Sequence, residues 1–163
     1  MIISGLASTP HLDHVRHVVD ANAFTESIAR RGVSGPSGVR LLAFHDSDKP
    51  VGRITELKPT KRGLVIRAEI DEDISYGKDL AVATKAAGGL NFSVGFRLQD
   101  ADFDVAPDGE EYLHILKADL FEVSVVVFPM NETASMTEVK GDSFDRLLGS
   151  VARLKIALEE LNK

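Results

Sequence analysis

No cysteine occurs in the 163 residues, which excludes disulfides, thiolate metal ligands and a cysteine nucleophile together. An excess of basic residues is missing too. Twenty-five acidic against nineteen basic side chains give a net charge of −6 and a pI near 5.3, a balance that argues against a nucleic-acid-binding surface. No apolar run approaches the roughly 18 residues of a membrane span. Met1-Ile2-Ile3-Ser4-Gly5 lacks the basic residues that open a signal peptide. Internal repeats and low-complexity stretches are absent. What is present is an ordinary soluble composition, 44% hydrophobic and 27% charged, in a length that suits one domain with a full core.

The pattern predicts many short strands. Met1 to Ala7 and His14 to Val19 read as strands, and Asn22 to Arg31 as a short helix capped by Asn22 and stopped by Gly32. Val39 to His45 and Val51 to Leu57 read as strands on either side of a Lys49-Pro50 turn. In Gly63 to Ile70, Leu64, Ile66, Ala68 and Ile70 alternate with Val65, Arg67 and Glu69, the signature of a half-buried strand. Tyr76 to Ala87 suits a helix closed by Gly88-Gly89. Leu90 to Leu98 and Tyr112 to Leu116 are strands around an acidic loop, and Leu120 to Phe128 is a nearly continuous apolar strand that ends at Pro129. The expected fold is mainly β (α+β). Residues 1–140 should form a closed or nearly closed β-barrel with peripheral helices.

Residues 141–163 differ. Phe144, Leu147, Val151, Leu154, Leu158 and Leu161 follow steps of three and four, the seam of one long amphipathic helix capped by Asp142 or Ser143. Two readings stay open: a helix packed on the barrel, or one that pairs with its copy in a second chain. The narrow seam fits another helix better than a barrel, which points to a homo-oligomer.

Three residues stand out chemically. In Leu90 to Phe96, strand alternation puts Leu90, Phe92, Val94 and Phe96 on one face and Asn91, Ser93 and Gly95 on the other. Ser93 is then a hydroxyl on a rigid strand, and Gly95 leaves room for a substrate backbone to approach. His45 ends an apolar run and is followed by Asp46 and Asp48. Glu122 sits in a strand otherwise apolar on both faces, so its carboxylate needs a partner, which His45 or Arg53 can supply. A serine, a histidine and an orienting carboxylate are the parts of a serine nucleophile and its base. They are equally the parts of a packed hydroxyl, an edge imidazole and a rim carboxylate.

Other polar groupings carry less. His11, His14 and His17 would drift around a helix, and on a strand His14 would face away from the other two; no metal site is expected there. Asp71-Glu72-Asp73 and Asp100-Ala101-Asp102-Phe103-Asp104 lack the glycine and terminal glutamate of a calcium loop and read as solvated loops.

The ordered set Gly5-Leu6-Ala7-Ser8, Asp20 to Phe24, Leu41 to Asp46, Pro50 to Arg53, Gly63-Leu64-Val65, Phe92 to Phe96 and Asp119 to Val126, ending in Pro129 to Ala134, resembles the prohead proteases of tailed bacteriophages. The resemblance covers most of the chain. It implies a serine peptidase with a herpesvirus-assemblin-like β-barrel, acting in capsid maturation on scaffold and major capsid proteins and on itself. Ser93 matches the nucleophile and His45 the base, with Glu122 placed as the third member. No cofactor or metal is implied, and no nucleic-acid or membrane partner. The expected location is the prohead, inside the host cytoplasm. Ala21-Asn22 stands where the family has Pro-Gly, a difference that bears on a helix cap. Nothing in the chain matches the adjacent arginine pair of the assemblin oxyanion hole. The rival reading is a non-catalytic β-barrel module of capsid assembly that oligomerises through its C-terminal helix.

Overall fold

The alternating Leu64, Ile66, Ala68 and Ile70 are all buried on the inner side of one strand in a computed structural model that describes residues 1–140. In chain order the elements are β1 (Ile2–Ser8), β2 (His17–Val19), α1 (Thr25–Arg31), β3 (Arg40–Ala43), β4 (Asp46–Thr60), β5 (Gly63–Ile70), α2 (Ser75–Ala86), β6 (Asn91–Val105), β7 (Glu111–Val126) and β8 (Met136–Lys140). The expected C-terminal helix over 141–163 lies outside the described residues. All eight strands join one sheet in the order β2-β7-β3-β4-β5-β1-β8, and β6 pairs with β7. Ile3, Leu41, Val51, Ile66, Phe92, Leu120 and Val123 form the center of the core.

The sheet is not closed, contrary to the barrel expectation. Among the described residues β6 meets the β8 edge only at the segment leading into β8, by a single bridge from Asn91 to Ser135, flanked by hydrogen bonds from Phe92 N–H to the Ala134 carbonyl and from Met136 N–H to the Leu90 carbonyl. Beyond Phe92, β6 leaves this contact and follows β7 in a long antiparallel hairpin. Asp100 to Asp104 therefore lie within β6, paired with Lys117 to Tyr112, rather than in a loop. The aspartates had masked the alternation of Ala101, Phe103 and Val105; Asp104 accepts a hydrogen bond from the Tyr112 hydroxyl across the hairpin at 3.1 Å.

β6 occupies one edge of β7 along its length, so β2 and β3 share the other. β2 runs parallel to Leu113–Ile115 and β3 parallel to Glu122–Val125. Helix α1 and the turn that leads into it fill the gap between them: Ala118 N–H donates to the Ala23 carbonyl at 3.0 Å, and Leu120 N–H to Ser27 Oγ at 2.8 Å. Without this segment these two strand amides would be buried and unpaired. Asn22 is not its cap. The helix starts at Thr25 without a side-chain cap, and Asn22 N–H instead closes a turn onto Asp20 Oδ1.

Candidate functional site

The turn between β3 and β4 is Phe44-His45, not Lys49-Pro50. Ala43 pairs with Asp46, so the connection is two residues long, and Pro50 lies inside β4 opposite Leu42. Phe44 and His45 have φ of 55° and 59°, the positive values that a tight type I′ hairpin demands and that Asn-Gly normally supplies. Each non-glycine residue held there costs about 1–2 kcal/mol. The neighboring strand holds the turn in place. Phe44 N–H donates to the Val125 carbonyl at 3.1 Å and His45 N–H to Ser124 Oγ at 2.9 Å.

In this conformation the imidazole meets β7. His45 Nδ1 lies 2.6 Å from Glu122 Oε1. Glu122 is nearly buried in an apolar run, and its other oxygen accepts a 2.8 Å hydrogen bond from Ser124 Oγ. Both oxygens of a costly buried carboxylate are thus satisfied. With Glu122 as a carboxylate, which can only accept, His45 Nδ1 is the donor of this contact. That leaves the Nε2 lone pair as the basic position. Ser124, fully buried, donates to the carboxylate and accepts from the backbone of His45, tying the strained turn to the acid it serves.

Ser93 stands directly across from Ser124 in the β6–β7 ladder, and Gly95 across from Glu122. Facing pairs share a side of the sheet with Cβ atoms about 5 Å apart. Ser93 is therefore one strand from the His45–Glu122 pair and on the same face, half-buried. No hydrogen bond joins Ser93 to His45 among the described residues. Gly95 has a different task from the one its sequence position suggests. A Cβ there would lie 2.9 Å from Glu122 Cγ and 2.8 Å from Cδ, and closer still to Oε1. The missing side chain makes room for the carboxylate rather than for a substrate backbone.

The other candidates go elsewhere. Arg53 pairs with Glu69 at 2.5 Å and Asp46 with Lys49 at 2.8 Å, so neither competes for the site. His11 meets Thr9, His14 meets Glu132 and His17 meets Asp13. Asp119 forms a separate cluster with Ser27, Arg30 and Arg31. Hydrogen bonds from Arg31 foremost, then Ser27, hold its carboxyl well below the ordinary range. Sequence reasoning overlooked Ser124, although a second polar residue two positions after Glu122, on the same strand face, was a readable signal.

Residues 5–148 match the family described as caudovirus prohead serine protease. The chain is 34% identical over 142 residues to a prohead protease of Escherichia phage T5, covering 85% of this chain and 62% of that protein. It is 30% identical over 151 residues to a capsid polyprotein of Pseudomonas phage PAJU2, covering 89% of this chain and 20% of that one. A solved KSHV protease in complex with a hexapeptide phosphonate inhibitor superimposes with a TM-score of 0.48 at 10% identity, over 86% of this chain and 65% of that chain. The chain thus spans less than two thirds of the length of either phage relative.

Proposed function

The chain belongs to the caudovirus prohead serine protease family, and from that premise we propose that it is a serine endopeptidase of capsid maturation with Ser93, His45 and Glu122 as its catalytic residues. The observation that carries the reading is the 2.6 Å contact between His45 Nδ1 and Glu122 Oε1 on the sheet face that bears Ser93. Ser93 Oγ attacks the scissile carbonyl while His45 Nε2 takes its proton. The tetrahedral oxyanion is held by backbone amides near Ser93. Collapse expels the amine, which receives the proton from Nε2, and water repeats the sequence on the acyl-enzyme. Glu122 keeps the imidazole in the required tautomer and stabilises the imidazolium. The Ser93–His45 hydrogen bond forms when substrate is bound, as catalytic hydrogen bonds tighten in the Michaelis complex. No metal or cofactor enters this scheme.

The substrates proposed are scaffold and major capsid proteins and the protease itself, processed within the prohead in the host cell. Similarity to one part of a capsid polyprotein supports a protease that works beside capsid protein. No helix among the described residues is long and apolar enough to cross a membrane. Residues 1–140 are the proposed peptidase unit, and 141–163 the segment through which copies associate.

Co-expression with the cognate scaffold and capsid proteins tests the reading, with mass spectrometry of the products. Wild type should yield defined cleavages and Ser93→Ala none. Intact scaffold with wild type would favor the non-catalytic assembly module, the reading to which the unformed Ser93–His45 bond lends itself.

A further inference from the structure

The face of β6 that bears Ser93 and Gly95 next bears Arg97, opposite Asp119. Asp119 is already held by two other guanidiniums: Arg31 through Nε at 2.8 Å and Nη2 at 2.9 Å, and Arg30 through Nη2 at 2.5 Å. Phe121 lies among them. The ladder steps from Gly95–Glu122 to Phe96–Leu120, which leaves Phe121 as the extra residue of a bulge, a device that re-aims a side chain. Arg31 sits 4.3 Å and Arg97 5.3 Å from the centroid of its ring. Stacking on an aromatic face fixes a guanidinium while leaving its N–H edge free to bind carboxylate.

Charge counting shows what this surface wants. Arg30 and Arg31 share the single carboxylate of Asp119, and Arg97 adds a third guanidinium beside Phe121, in a chain whose net charge is −6. Arg97 is exposed and has no carboxylate partner among the described residues, and the Arg30 side chain is 57% exposed. Of the acids that flank this cluster, Glu122 is committed to His45 and Ser124, Glu26 pairs with Lys117, and Asp100 stands opposite Lys117 in the ladder. Four strand residues at about 3.3 Å each set Arg97 roughly 13 Å from Ser93, the span of four residues of extended peptide.

We propose that Arg97, backed by Arg31 and Arg30, is a subsite for acidic side chains of the substrate polypeptide, about four residues from the bond cleaved at Ser93. This deepens the peptidase reading and rests on Ser93 as its nucleophile. A peptide lying along the Ser93 face of β6 places one side chain over Ser93 and another over the guanidiniums. Aspartate or glutamate there completes a bidentate pair that the fold leaves open.

Two measurements test it with Arg97 variants, because the Arg97 side chain makes no hydrogen bond among the described residues whereas Arg31 holds Asp119. In the first, a proteome-derived peptide library is digested and the cut sites are read by mass spectrometry. Wild type should enrich Asp and Glu about four residues to one side of the cut, and Arg97→Glu should replace that with Lys and Arg. Cleavage with no acidic enrichment, or enrichment unchanged in Arg97→Glu, overturns the subsite while leaving the peptidase standing. The second needs no cleavage. Fluorescence anisotropy with the Ser93→Ala variant compares labeled (Glu-Ala)6 with (Gln-Ala)6. The glutamate peptide should bind about tenfold more tightly at low salt, with the advantage lost in Arg97→Ala and shrinking as salt rises. Equal binding of the two peptides refutes the subsite even if no substrate is ever cut. A DNA duplex bound in preference to (Glu-Ala)6 would refute it as well, by making the patch a polyanion site.

Discussion

Replacing Gly95 by alanine isolates the geometric claim at the center of the site. No positive φ constrains Gly95, so the backbone accepts alanine, and the loss of glycine's freedom in the unfolded chain alone would stabilise by about 0.4–1 kcal/mol. The new methyl, however, falls within 3 Å of Glu122 Cγ and Cδ. Its way out is to push the carboxylate off His45 and Ser124, at an overpacking cost of about 1–3 kcal/mol plus hydrogen bonds to a charged group of about 1.5–3 kcal/mol each, partly recovered in water. Net destabilisation of about 1–3 kcal/mol leaves a domain of ordinary stability folded. Activity should suffer far more, by about a hundred- to ten-thousand-fold, because a mispositioned orienting acid releases the wrong imidazole tautomer. The measurement is scaffold-processing rate beside a urea melt, in a cycle with Glu122→Ala. Truncating Glu122 removes what the methyl strikes, so Gly95→Ala should cost little further in that background. Full activity of the single variant, or an equal loss in both backgrounds, would refute the steric link.

Other expectations follow from the same contacts. Ser93→Ala should abolish processing with the melting temperature nearly unchanged. His45→Ala should be equally inactive, and the double variant little worse, because members of a catalytic unit are non-additive. Ser124→Ala removes the donor to Glu122 and the acceptor of the His45 amide; kcat should fall at least tenfold with KM little changed, and nitrogen NMR should show His45 no longer confined to the Nδ1–H tautomer. Phe44→Asn puts a residue tolerant of positive φ into the turn and should raise Tm by roughly 2–4 °C, read by calorimetry. Asp119 has its folded pKa lowered by Arg31 and Ser27, so its stabilisation is complete above the ordinary carboxylate range and is lost as pH falls below it. Urea midpoints of wild type should therefore drop more steeply below about pH 4 than those of Asp119→Asn. Parallel slopes would count against this account of Asp119.

Patterning carried a good part of the architecture. The inner face of β5, helix α2 with its Gly88-Gly89 stop, and the strand character around Ser93 and Glu122 all follow from alternation and glycine placement, which are local properties. The failures are equally specific. Asp100, Asp102 and Asp104 give their stretch the charge of a loop and hide the alternation of Ala101, Phe103 and Val105. Proline is the stronger local turn signal and points to Lys49-Pro50, whereas the chain turns at Phe44-His45, without the Asn or Gly that such a turn normally carries.

By itself the sequence determined which side chains belong to which strand face, and hence that Ser93 and Gly95 point one way and Phe92 and Val94 the other. It also required that a glutamate in an apolar strand find a partner. Which partner was a tertiary decision. His45 and Arg53 were both available, and the parallel pairing of β3 with β7 brings the turn after Ala43 against Ser124 and Glu122. Strand order decided the open sheet too, because β6 follows β7 rather than β8 beyond Phe92. Residues 77 positions apart in the chain come into contact through register, and register is set by the whole sheet rather than by any window of sequence.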